Sequence, residues 1–349
     1  MSPVGDAGTT TTPSTGSVVV VGAYCADCIV ATDVLPGWGD DLRVDGVRTR
    51  PGGKGLNQAV ALARRGVPVR AVGVVGADST GRDLLADLTA EGVDVTAMTV
   101  RPGAATPVCV VLAHSDGRTA FLYRWAPEAE LALADLTVAR AAIVDARAVI
   151  VTFDPPPATV RATVDAALDA GVPLLIHPAP PTPGAAAELL DLPWHRVAAL
   201  TPNETEARLL LRAAGDPAAD GPGPALAGAL GARLGAPLVC VTRAYHGVAV
   251  WDGARGWERP AHPTTVVDTT AASDVFTAAL AHVLFAGATR SAGRVGRAGL
   301  VEAAVEAGLA AAAWTVRHRG AIDALPRLAE LSSPAGGTFV TGRNASTDV

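Results

Sequence analysis

Short apolar runs alternate with stretches of helical spacing along most of the chain. Residues Val18–Val21, 69–75, Ala148–Thr152, Leu174–His177, 198–200 and 238–242 form apolar runs that predict strands buried on both faces. Between them, 56–65, 82–91, 158–170, 204–214 and 224–234 repeat apolar residues every three or four positions and predict helices. Strand and helix at this rhythm imply an α/β fold, with a mostly parallel central sheet and helices on both faces. Ligands of such folds bind at the carboxyl ends of the strands. Two segments, 32–50 and 106–125, carry few helix signals. Within the second, 107–113 and 119–123 flank an Asp116-Gly117 turn, which predicts a hairpin. Such extra β-structure can form a small lid or an edge extension, and periodicity does not choose between them.

Composition narrows the function classes. The 349 residues are 49% hydrophobic, enough for a substantial core. Net charge is −6 and no Lys/Arg block occurs, which argues against nucleic acid as a partner. No apolar run reaches the roughly 18 residues of a membrane span. Residues 1–17 are rich in Thr, Ser, Gly and Pro and lack the layout of a secretory signal, so they are expected to be a disordered tail, as are 332–349. The ordered domain is expected over 18–331. Four cysteines are too few for a disulfide framework, and Cys25-x-x-Cys28 is read as reduced thiols near a strand end rather than a redox pair or half a metal site. A reducing, cytoplasmic setting follows as the expectation.

Three segments could carry chemistry. In the first, Gly52, Gly53 and Gly55 surround Lys54 ahead of a helix, and Asn57 adds a side chain that suits a polyol. The G-x-x-x-x-G-K-[ST] spacing of a Walker loop is absent. In the second, Asp274 follows the small residues Ala271, Ala272 and Ser273 at the start of an apolar helix. A carboxylate there can be a simple cap, or a base beside N–H groups that hold phosphate charge. In the third, Asn203 and Glu206 fall on one face of a starting helix. Their spacing suits both a capping box and an oxygen-ligand contact to Mg²⁺ through water.

Taken together, Gly52-Gly-Lys-Gly-Leu-Asn-Gln-Ala59, Pro202-Asn-Glu-Thr-Glu-Ala207 and Asp268-Thr-Thr-Ala-Ala-Ser-Asp-Val-Phe276 resemble, in order and spacing, the signatures of the ribokinase-like (PfkB) carbohydrate kinases. The likeness runs from about residue 18 to 328. It implies a ribokinase-like fold with a small β lid at about 32–50 and 106–125, and an ATP-dependent sugar kinase. Asp27, Gly53, Lys54, Asn57 and Asp154 would bind the sugar. Asp274 would be the catalytic base, with Ala271, Ala272 and Ser273 as anion hole. Asn203, Thr242, Ala244 and Gly247 would bind the nucleotide, Glu206 would reach Mg²⁺ through water, and Asp268 with Thr270 and the Arg319 segment would hold K⁺. The lid would also clasp a homodimer.

Four positions depart from that pattern: Ser273 and Ala244 stand where glycines are usual, Cys25 replaces an asparagine and Asp154 a glutamate. A pentose acceptor is the leading expectation. One alternative is a kinase-fold protein that binds a ligand without turnover. Another is a nucleoside acceptor, disfavoured by an aromatic content of 4%, with Tyr24 or Trp38 as the platform for a base.

Overall fold

The structure is a computed structural model that describes residues 16–331, apart from 117, 124, 181–182 and 287–295. The two expected tails therefore lie outside the described residues, except for Gly16 and Ser17, which lead into the first strand. Among the described residues nine strands form the central sheet. Their spatial order is Gly256–Arg259, Val248–Trp251, Val239–Thr242, Ala199–Leu200, Leu174–His177, Ala148–Thr152, Val18–Val21, Val69–Val72 and Val93–Asp94. From Val239–Thr242 to Val93–Asp94 all neighbours are parallel, and the first two strands join antiparallel.

Side chains alternate across a strand, so one run of valines serves two cores. Val18 and Val20 join a cluster with helices Lys54–Ala63, Ser79–Ala90, Ala272–Ala281 and Arg297–Thr315. Val19 and Val21 join the opposite cluster, with Leu136–Val144, Pro157–Asp169, Glu204–Ala213 and Leu226–Leu234. All four valines are wholly buried, which explains why their strand lacks a polar face.

The run 69–75 is not one strand. It breaks at Gly73 into Val69–Val72 and Val74–Gly76, and the second piece pairs with Thr99–Arg101 in a separate ribbon. A Cβ at Gly73 would stand 2.4 Å from the Tyr24 ring, so the break is where the chain passes a buried aromatic.

A second sheet of four strands, in the order Gly46–Gly52, Cys25–Ala31, Val108–Ala113 and Thr119–Tyr123, lies beside the carboxyl ends. Its last two strands form the antiparallel pair expected around residues 116–117, with Ala113 opposite Thr119. Cys25–Ala31, the strand at its centre, has no counterpart in the apolar pattern. Cys25 and Cys28 lie three apart on this strand and so point to opposite faces, which separates the two thiols. All four cysteines are free.

Candidate active site

Loops from four parallel strands and the starts of three helices converge on a cavity of about 390 Å³. The first wall is the turn into helix Lys54–Ala63. Gly53 sits there at φ 99°, and a Cβ would lie 2.6 Å from the Ala23 carbonyl oxygen, so only glycine passes. A Cβ on Gly52 would meet the Asp27 carboxylate at 2.1 Å. The glycines thus let the backbone press against Asp27 while Lys54 and Asn57 line the cavity.

Asp274 belongs to the first turn of helix Ala272–Ala281 and is 3% exposed. Asn57 Nδ2 donates to its Oδ2 at 2.9 Å, and Gln58 Nε2 donates to its Oδ1 at 3.2 Å. Burial raises its pKa, while the Lys54 charge and these two amides pull against that rise. Ala271, in the left-handed conformation at φ 62°, turns the chain into the helix. Ser273 has ordinary helical geometry one residue before Asp274. The left-handed turn thus falls on Ala271, two residues before Ser273, the position where the family pattern has glycine.

Asp154 follows strand Ala148–Thr152. Its Oδ2 accepts from the Thr152 hydroxyl at 2.7 Å and from Ala23 N–H at 3.4 Å. Burial pushes it up to about 6 against the pull of Thr152 and Lys54. Asp27, on the second sheet, is also pushed up to about 6, by burial first and then by Asp274, although the Cys25 thiol donates to it at 3.7 Å. For Lys54, burial disfavours the charge, but Asp274, Glu206 and Asp154 outweigh it and raise its pKa.

Asn203 caps helix Glu204–Ala213 in a complete capping box. Its Oδ1 accepts from Glu206 N–H at 2.9 Å, and Glu206 accepts from Asn203 N–H and Nδ2, both at 2.8 Å. Both residues also line the cavity, so the cap and a ligand role coexist. Burial pushes Glu206 up to about 7. A carboxylate oxygen has lone pairs beyond the N–H it accepts, and this donor set fits a Mg²⁺ reached through water. Among the described residues no group of three or more acidic, histidine or cysteine side chains could cage a metal outright.

The cavity also receives Ala271, Ser273 and Thr270. Ala272, Thr242, Ala244, Gly247 and Asp268 do not line it. Thr242 bridges to Asn203 and donates its N–H to Pro202, and Ala244 with Gly247 forms the next turn, both at positive φ. Asp268 faces a second cavity of about 150 Å³ with Arg319 and Gly320. Its oxygens accept from Thr270 N–H at 2.9 Å and Gly320 N–H at 2.8 Å. That clamp leaves oxygen lone pairs that fit a monovalent cation.

Sequence reasoning missed two polar groups and a wall. Gln58 and His177 are wholly buried and stand 2.7 Å apart beside Asp274. Gln58 lay in the quoted glycine motif and His177 at a strand's carboxyl end, so the signal was position rather than residue type. The wall is Phe121, Tyr123 and Trp125, which face the cavity with Cys25 and Cys109. Neither expected base platform is there: Tyr24 is buried with its hydroxyl donating to Val20, and Trp38 is wholly exposed.

The description "pfkB family carbohydrate kinase" matches residues 15–328 of this chain. The chain is 28% identical over 323 residues to the ribokinase of Schizosaccharomyces pombe, covering 90% of this chain and 96% of that protein. It is 30% identical over 272 residues to the ribokinase of Bacillus subtilis, covering 78% and 86%. Among solved structures, Arabidopsis thaliana ribokinase complexed with ribose and ATP aligns with a TM-score of 0.73 at 28% identity, covering 90% of this chain and 97% of that one. Thermotoga maritima ribokinase, at 24% identity and a TM-score of 0.75, shares the fold over 90% and 97%.

Proposed function

The chain belongs to the pfkB family of carbohydrate kinases and is an ATP-dependent sugar kinase, and from that premise we propose that it phosphorylates the primary hydroxyl of a pentose such as ribose, with Asp274 as the base. The observation that carries this reading is the Asp274 carboxylate, held by Asn57 and Gln58 at a helix start within the cavity shared by Asp27 and Asp154. Asp27, Asp154 and Asn57 would fix the sugar hydroxyls, with Gly53 leaving room for close approach. Asp274 takes the proton of the attacking hydroxyl as its oxygen bonds to the γ-phosphorus and the bond to ADP breaks. The N–H groups of Ala271 and Ser273, with Lys54, would stabilise charge on the moving phosphoryl group, whereas the Ala272 N–H expected there donates to the Thr269 carbonyl at 3.3 Å.

Asn203 and Glu206 would hold Mg²⁺ through water, and the ion would neutralise phosphate charge. Thr242, Ala244 and Gly247 continue that side of the site as a nucleotide loop. Asp268 and Thr270 would place K⁺ behind the turn at Ala271. The ribose and ATP bound to the Arabidopsis relative support both substrates here. The second sheet would act as a lid. Its outer face leaves Val47, Val108 and Leu122 about half exposed or more, which supports a homodimer clasped through it. Among the described residues no helix is long and apolar enough to cross a membrane. Free thiols on the cavity wall support a cytoplasmic setting.

A second reading keeps the chemistry and enlarges the acceptor to a nucleoside. The aromatic wall of Phe121, Tyr123 and Trp125 favours it, despite the low overall aromatic content.

One experiment separates these readings: ADP release measured with Mg-ATP across ribose, deoxyribose, fructose and nucleosides. Release with a pentose supports the proposal, and release with nucleosides alone replaces the acceptor. Asp274→Ala should lower turnover by about 10²–10⁴-fold with sugar affinity kept, and retained turnover removes Asp274 as base. Exchanging K⁺ for Na⁺ should lower the rate, and indifference removes the Asp268 cation site.

A further inference from the structure

His177 ends strand Leu174–His177 with its ring wholly buried, and no role above uses it. Its Nδ1 lies 2.7 Å from Gln58 Nε2, the same nitrogen that stands 3.2 Å from Asp274 Oδ1. On the other side, Nε2 makes no hydrogen bond among the described residues and lies 3.8 Å from Glu206 Oε2. Gln58 Oε1 likewise has no partner there.

A glutamine amide is close to symmetric in shape, so its orientation must be selected by its partners. With nitrogen toward Asp274, the amide has one N–H for the carboxylate and one for His177. With oxygen toward Asp274, two acceptors would face each other at about 3 Å in a buried site, a repulsion that drives the carboxyl group to hold its proton. Since Oε1 has no partner, the choice falls to His177. Nδ1 also lies 3.5 Å from Asp274 Oδ1, but the amide nitrogen at 2.7 Å is the closer neighbour, so with its N–H aimed there Nδ1 accepts and the imidazole proton sits on Nε2. The Glu206 carboxylate stands on that side and favours that tautomer. Burial, followed by the Lys54 charge, pushes the His177 pKa well down, so the neutral ring is the form present.

We infer that His177 is a positioning residue whose Nδ1 locks the Gln58 amide with its N–H toward Asp274, keeping the base carboxylate oriented and free to accept a proton. The inference rests on the reading of Asp274 as the base. Glu206 thereby serves two functions, one toward the phosphate side and one through His177 toward the base.

The test compares His177→Leu, His177→Asn, Gln58→Leu and the Gln58→Leu/His177→Leu pair by steady-state kinetics, with melting temperature recorded for each. His177→Leu should lower kcat about tenfold or more with the KM values for acceptor and ATP changed less than about threefold. In asparagine, Oδ1 takes the place of Nδ1 two bonds from Cβ, so His177→Asn should restore most of that loss. The double variant should be no slower than the slower single one, because both break the same link. Full kcat in His177→Leu overturns the inference, as do equal losses in the leucine and asparagine variants or additive losses in the pair. If His177→Leu does not fold, Gln58→Leu and His177→Asn still decide: the first must lose kcat and the second must keep it. Turnover retained by Asp274→Ala would instead sink the underlying base assignment, whatever the His177 variants do.

Discussion

Two alanines occupy backbone positions that favour glycine. Ala244 at φ 48° and Ala271 at φ 62° are, among the described residues, the non-glycine residues with positive φ, and each lies in a turn beside the candidate phosphate path. A Cβ in the left-handed region costs roughly 1–2 kcal/mol, partly offset by the greater freedom of glycine in the unfolded chain. Ala271→Gly should therefore stabilise the fold by about 0.5–1 kcal/mol in chemical denaturation. Ser273→Gly should bring no such gain, since Ser273 is helical and glycine there costs about 0.5–1 kcal/mol. Equal effects of the two substitutions would place the strain elsewhere. The sequence pattern directs attention to Ser273 because it adjoins Asp274 and stands where glycine is usual. The backbone angle that matters belongs to a neighbour, and φ is not readable from residue type.

At the scale of elements, helix Lys54–Ala63 shows what a sequence can and cannot disclose. Its residues 55–62 are all buried, so it has no solvated face, and Asn57 and Gln58 are adjacent amides that both reach Asp274. A polyol ligand accounts for Asn57 in the motif, but nothing in the sequence sets the wholly buried glutamine beside it apart from an ordinary polar position. The central strands were legible because both their faces are apolar. Strand Cys25–Ala31 was not, because its inward position Asp27 is charged and breaks the alternation on which pattern reading depends. The hairpin 108–123 was legible from its turn, but the use of its inner face was not. Thr119, Phe121 and Tyr123 all face the cavity, as alternate residues of one strand must. Phe121→Ala should raise the acceptor KM by about tenfold with kcat nearly unchanged, as expected when a wall binds ground and transition states alike. A fall in kcat at constant KM would instead tie this strand to the reaction step.

For the whole molecule, the distribution of charge sets stability against function. The net charge of −6 is modest, yet Asp27, Asp154, Glu206 and Asp274 all line one cavity in which Lys54 is the charged cation. Burial penalises the ionised form of these carboxylates and so raises all four pKa values. Sugar hydroxyls and a divalent ion would remove that penalty on binding. The sign can be followed at Asp27. Its folded pKa of about 6 exceeds the ordinary 3.8, so the folded state binds the proton more tightly than the unfolded chain does. The resulting stability is complete below about pH 4 and is lost as the pH rises through 6. Buried His177 and half-buried His282, whose pKa values burial lowers, act in the opposite direction on the acid side, so the total pH profile mixes both effects. The difference between wild type and Asp27→Asn isolates the aspartate. The variant should be more stable than wild type by roughly 3 kcal/mol at pH 8, with the advantage shrinking through pH 6 and nearly gone at pH 4. Denaturant titrations at those three pH values measure it. A constant difference would mean that Asp27 does not carry a buried charge in the folded protein. The same variant should bind sugar more weakly if the carboxylate whose burial is costly is an acceptor for substrate hydroxyls.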